Sequence, residues 1–264
     1  MRLLCLFLFT TTLVATAQPD WHSGTQKDGG VSLIPQKKGL TAEVLQSLYI
    51  PAIPGAPFSA TLHTEWVRPV GQGRSITLVN RRDILRDKNG RLLEERCALT
   101  PKASGEKSIL SMLQFYDPDK HTGYDCFVMG PRQGTCELLN FYPSDPREEQ
   151  QHSGPLANNQ GSFVHEDLGS RAIQGIQTDG TRDTTSWNVG AAGNDQPLTV
   201  VREFWHSAML GINLISVLED PRIGRQTFTL TDLSLDDVDP SYFKLPDGYS
   251  VVDRRNAVPD SGSN

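Results

Sequence analysis

Cys126 and Cys136 stand on either side of Gly130-Pro131-Arg132-Gln133-Gly134, in the stretch GYDCFVMGPRQGTCELL. Two thiols can hold a metal, cycle as a redox couple or staple a loop, and the residues around them decide which. A Cys-x-x-Cys redox motif sets its thiols on adjacent turns at the start of a helix, whereas this pair lies ten positions apart in β-type sequence. Zinc wants two further ligands close by, and only His121 is near. In a hairpin centred on Pro131 the two cysteines oppose each other across the ladder, within disulfide range. The spacing predicts a Cys126–Cys136 disulfide, with Cys97 a buried free thiol.

That reading needs an oxidising compartment, and the first residues supply one. MRLLCLFLFTTTLVATAQ sets Arg2 before an apolar run from Leu3 to Val14 and the small triplet Ala15-Thr16-Ala17, the layout of a signal peptide over residues 1–17. Cys5 leaves with it, and disulfides persist outside the cytosol. The expected localisation is periplasmic or extracellular. No later run of about 18 apolar residues predicts a transmembrane segment.

Other chemistry-bearing residues form no constellation. His22, His63, His121, His152, His165 and His206 are scattered without metal-ligand spacing. Asp232, Asp236, Asp237 and Asp239 cluster but lack the alternation and central glycine of a calcium loop. Glu65 beside Trp66, and Glu203 near Trp205 and His206, are the combinations that could serve hydrolysis or a sugar platform. Arg81, Arg82, Arg86, Arg91 and Arg96 surround one hairpin, where cross-strand pairing with Asp83, Asp87, Glu94 and Glu95 accounts for them. No phosphate or dinucleotide cradle is present, and Asp260-Ser261-Gly262 lies in the tail, away from any strand that could hold a nucleophile. The sequence therefore predicts no catalytic residue, no metal and no cofactor. A formal net charge of −6, spread without long runs, excludes a nucleic-acid footprint.

The elements that must position these residues are strands. Residues 18–39 read as a flexible leader. Leu40 to Ile50 predicts one short helix, with Thr41 as its cap, ended by Pro51, Pro54 and Pro57. From Phe58 the period is two: strands are expected over 58–67, 76–85, 109–116, 124–129, 135–142, 163–168, 171–187, 198–207, 211–219 and 225–234. Asn89-Gly90 predicts a type I′ hairpin turn, and Asp220-Pro221-Arg222-Ile223-Gly224 another turn. Residues 143–162 read as a long loop within one β domain spanning 40–252. Phe243, Leu245 and Tyr249 should dock on the sheet before a disordered tail over 253–264.

The tracts PGAPFSATLHTEWVRP, RDILRDKNGRLLEER, EDLGSRAIQGIQTDGTRDT, REFWHSAMLGINLISVLEDPRIGRQTFTLTDL and DPSYFKLPDGYSVVD together resemble an uncharacterised group of bacterial secreted proteins. That group is in turn similar to the LolA-like half-barrel superfamily of lipoprotein-localisation factors and periplasmic sensor domains. The resemblance covers roughly residues 54–252. It implies a mainly β fold, a single large curved antiparallel sheet forming an open half-barrel, whose concave apolar face holds an acyl chain or a protein segment. The expected function is that of a non-enzymatic envelope protein binding lipid or a protein segment there. The alternatives are a structural or interaction module of an envelope assembly, or an envelope hydrolase using Glu203 and His206.

Overall fold

The computed structural model describes residues 48–104, 108–143 and 152–256. The signal peptide, the leader and most of the expected helix fall outside these residues. Leu48, Tyr49 and Ile50, which the sequence assigns to that helix, belong to no regular element.

Fourteen strands follow in chain order: β1 (Phe58–Pro69), β2 (Ser75–Arg86), β3 (Leu92–Ala98), β4 (Thr100–Pro101), β5 (Ile109–Asp117), β6 (Thr122–Phe127), β7 (Thr135–Asn140), β8 (Gly154–Pro155), β9 (Gly161–Ile173), β10 (Ile176–Trp187), β11 (Leu198–Ser207), β12 (Ile212–Asp220), β13 (Gly224–Ser234) and β14 (Ser250–Asp253). They form one sheet in the order β14-β7-β6-β5-β3-β2-β1-β13-β12-β11-β10-β9-β8, with β4 paired to β2. Most neighbours are consecutive hairpins, because turn residues recur at short intervals and leave no room for crossovers. Where first and last parts of the chain meet, β1 pairs with β13, with Leu62 opposite Leu230 and Thr64 opposite Phe228.

The sheet curls on itself. An Arg86 Nη at the end of β2 donates to the Leu210 carbonyl in the β11–β12 turn at 2.6 Å, across the strands between them. The Gln174 amide at the β9–β10 tip likewise donates to the Leu230 carbonyl of β13 at 2.5 Å. Alternation along β1 sends Phe58, Ala60 and Leu62 to the concave face, where they join Ile84, Leu214, Leu218, Phe228 and Leu230 in the main core.

A second core forms on the outer face. Leu85, Leu93, Phe115, Cys126, Cys136 and Val238 pack together, and Phe243, Leu245 and Tyr249 lie against them, so the expected docking segment covers the back of β2, β3, β5 and β6. Cys126 opposes Cys136 in the β6–β7 ladder, and the two are joined by a disulfide. Both are fully buried. Closing this short loop limits the unfolded chain, so Cys126→Ala/Cys136→Ala is expected to lose about 3 kcal/mol in urea denaturation. An unchanged midpoint would show that the outer core alone holds the hairpin.

Several local expectations change. Gly90 has φ 82° but Asn89 stays outside the positive-φ region, so the β2–β3 turn is not type I′. The Asp87 carboxylate instead accepts from the backbone N–H of Asn89 and of Arg91, which sets the turn by side-chain hydrogen bonds. Strands expected at 163–168 and 171–187 are the single hairpin β9–β10, turning at Gln174-Gly175, because the Gly169 region forms a bulge in the ladder and not a chain reversal. Asp253, assigned to the tail from sequence, ends β14, which runs parallel to β7 in an otherwise antiparallel sheet. The expected loop over 143–162 includes the short strand β8 and the first residues of β9.

Candidate ligand-binding face

The concave face has an apolar half and a polar half, and the pairing register decides which residues belong to each. On β1, β12 and β13 the inward positions include Leu62, Leu214, Leu218, Phe228 and Leu230, all nearly inaccessible. Leu48 and Ile50 lie in the same core, 6% and 0% exposed, so a non-helical stretch of chain is already seated on this surface. Arg86 holds the segment that follows. Its Nε donates to the Ala56 carbonyl at 2.7 Å, and one Nη donates to the Pro51 carbonyl at 2.8 Å. Its guanidinium lies 4.9 Å from the Phe58 ring centroid. Burial pushes its pKa down to about 10.

The polar half begins one strand away. Ile84 pairs with Glu94, Glu94 with Gln114, Gln114 with Asp125, and Asp125 with Glu137, a row crossing β2, β3, β5, β6 and β7. Here the structure corrects the uniformly apolar concave face that the resemblance implies: the inward positions of β3, β5 and β6 include Glu94, Arg96, Gln114 and Asp125. Arg96 Nε donates to the Gln114 side-chain oxygen, and Gln114 Nε2 donates to Asp125 Oδ1 at 2.9 Å. An Arg96 Nη lies 3.4 Å from Glu94, whose side chain is 1% exposed. Neither Glu94 oxygen accepts a hydrogen bond. Asn80 Oδ1, Thr64 Oγ1, Ser216 Oγ and the Tyr116 hydroxyl, also buried and inward, are likewise without hydrogen-bond partners.

Burial raises the Glu94 carboxyl pKa, opposed by Arg96 and Arg82, and burial raises that of Asp125, opposed by the Gln114 hydrogen bond. Arg82 is pushed down to about 10 by burial and then by Arg96. Because folding lifts the Glu94 carboxyl above its unfolded value of about 4.3, its favourable share of stability is complete below that value and is lost as pH rises through the folded one. Glu94→Gln removes that loss. Its stability relative to the unsubstituted protein is therefore expected to increase from about pH 4 to pH 7 in urea titrations; parallel curves would show a solvated carboxyl.

The residues singled out from sequence for hydrolysis are not brought together as an acid–base pair. The Glu203 carboxylate accepts from Trp205 Nε1 and from an Arg182 Nη, both at 2.9 Å. Partial burial would raise its pKa, but these two hydrogen bonds and the Arg182 charge hold it lowered. His206 Nδ1 lies 3.0 Å from Asn213 Oδ1. Glu65 pairs with Lys102 at 2.7 Å. These two flank a shallow hollow of about 130 Å³ on the outer face, with His63, Arg81, Thr227 and Thr229 also in its lining. In the aspartate cluster, Asp237 pairs with Lys88 at 2.9 Å and Asp239 accepts from the Ser241 N–H at 2.8 Å. Cys97 is a free thiol, half-buried where burial was expected to be complete, and desolvation pushes its pKa up to about 11. Among the described residues no group of three or more His, Cys, Asp or Glu could hold a metal ion, and no helix is long and apolar enough to cross a membrane.

Sequence reasoning missed Arg86 and Glu94 as concave-face residues. The signal was present in their even spacing from Ile84 and Leu92, but surface cross-strand pairing explained the same charges.

The architecture is one large, curved sheet of fourteen strands that does not close on itself among the described residues. No family model and no curated protein matches the chain. Solved structures do. An uncharacterized conserved protein from Thermus thermophilus is 9% identical over 76% of this chain and 91% of its own, with a TM-score of 0.38. MucB is 12% identical over 75% of this chain, with a TM-score of 0.38, and the match spans only 60% of MucB. A LolA superfamily protein from Nitrosomonas europaea is 12% identical over 73% of this chain and 92% of its own, with a TM-score of 0.31. Identities this low leave ligand, activity and partner to be read from the chain's own residues.

Proposed function

We propose that this chain is an exported, non-enzymatic envelope protein that holds an apolar chain, of a lipid or of a polypeptide segment, on the concave face of its sheet. The observation that carries this reading is the seating of Leu48 and Ile50 among Leu62, Leu214, Leu218 and Phe228. A surface that accepts a non-helical stretch of its own chain, with backbone carbonyls gripped by Arg86, has the shape and chemistry to accept another apolar chain. The signal-peptide layout of residues 1–17 and the Cys126–Cys136 disulfide support an oxidising compartment outside the cytosol.

Native mass spectrometry of protein purified from the envelope fraction of producing cells tests the proposal. A co-purifying lipid or peptide, displaced when Leu218→Lys charges the concave face, is the expected result. Protein that carries nothing and takes up neither lipid nor peptide when supplied would overturn it.

A second reading, an interaction module, is favoured by the β14 edge, where Val251 and Val252 are 51% and 37% exposed. An edge with apolar side chains that no other strand pairs among the described residues suits strand addition by a partner.

A further inference from the structure

Glu94 is buried with an Arg96 guanidinium 3.4 Å away but with no hydrogen bond to either carboxyl oxygen. A carboxylate removed from water normally gains hydrogen bonds, and a native exception calls for an explanation. Both Glu94 oxygens lack one, as does the hydroxyl of Tyr116, close enough to feel the Glu94 and Asp125 charges. Arg82 lies within electrostatic reach of both Glu94 and Arg96. Around Glu94 the concave face therefore sets the guanidiniums of Arg82 and Arg96 beside the carboxyls of Glu94 and Asp125. Exposure increases along the row, from 1% for the Glu94 side chain to 13% for that of Glu137. From the β7 side the row runs through Glu137, Asp125 and Gln114 to Glu94, with the apolar half of the face beyond.

We infer that this row is a headgroup site that takes an uncharged, hydroxyl-bearing head of an amphiphile whose apolar chain lies on the neighbouring core. The inference rests on the concave-face reading proposed above and specifies its ligand. Hydroxyls both donate and accept. They can satisfy the unpaired Glu94 oxygens as donors and the Tyr116 hydroxyl in either role. The site holds groups of both signs, so a charged head of either sign brings a like charge beside it, Glu94 and Asp125 for an anion or Arg82 and Arg96 for a quaternary ammonium, and the latter offers no N–H to Glu94.

The test compares three amphiphiles with the same dodecyl chain, each below its micelle threshold, by equilibrium dialysis against the mature chain: dodecyl maltoside, dodecanoate and dodecyltrimethylammonium. The maltoside is expected to bind at least about tenfold more tightly than either charged probe, the effect of one hydrogen bond to a charged group. Glu94→Gln and Tyr116→Phe should each reduce that preference to about threefold or less. Tyr116→Phe deletes an oxygen that has no partner, so its fold is retained. Equal binding of all three probes, or a preference unchanged in both variants, overturns the headgroup site and leaves the apolar face standing. Failure of every probe to bind overturns the concave-face reading itself, and the headgroup site with it.

Discussion

Arg86→Ala is expected to lower the unfolding free energy by about 3–5 kcal/mol, measured by urea denaturation at unchanged m-value. Three charge-assisted hydrogen bonds disappear together, from Nε to Ala56 and from the two Nη atoms to Pro51 and Leu210. Arg86 is 0% exposed, so the three carbonyls are left facing protein, and the lost side-chain volume opens a cavity against Phe58. Desolvation of the cation works the other way, as its lowered pKa shows, and keeps the effect below the sum of three strong hydrogen bonds. Arg86→Met separates the two contributions: it refills most of the volume without restoring a donor, so it should recover only the cavity share. A loss below about 1 kcal/mol for alanine would mean that the carbonyls reach water. Because the same guanidinium fixes Pro51 and Ala56, the alanine variant should also unseat Leu48 and Ile50, and proteolysis near residue 50 should accelerate.

Gly224→Ala is expected to lose at least about 3 kcal/mol and to lower the melting temperature accordingly. Gly224 opens β13 with φ 95°, and a Cβ there would fall 2.0 Å from the Val67 carbonyl oxygen and 2.8 Å from Pro69 Cδ. Backbone strain at positive φ accounts for about 1–3 kcal/mol. The remainder comes from pushing β1 away from β13 at Val67–Arg225, the end of the ladder that joins the early and late parts of the chain. Gly248→Ala is the control. It has φ 79° but nothing within 4 Å of the added carbon, so it carries strain without collision. Equal losses for the two would show that the β1 contact yields at no cost.

These two residues also show where sequence reading stops. Arg86 stands in a strand with the correct period, and its charge suggested a surface hairpin. Its burial follows from the curl that brings Leu210 of the β11–β12 turn over β2, a contact between residues 124 positions apart. Gly224 was legible as the end of a Pro-initiated turn, but not as the point where the Val67 carbonyl occupies the space of a side chain. The Cys126–Cys136 bridge was legible, since the hairpin register that opposes the two residues is set by short-range spacing. The turn at Asn89-Gly90 was located correctly but not its type, because the Asp87 carboxylate supplies hydrogen bonds that a dipeptide preference does not contain.

By itself the amino-acid sequence determined that this is a β protein, the places of most strands, the disulfide hairpin and the docking of Phe243, Leu245 and Tyr249. Each depends on alternation, turn residues or apolar clusters within short spans of chain. Only the tertiary structure decided that β1 closes against β13, that the concave face is half apolar and half charged, and that Glu94 is buried there without a hydrogen bond. The physical reason is that a strand's period states which residues share a face, while the direction in which a large sheet curls, set by contacts between distant strands, states which face becomes the inside.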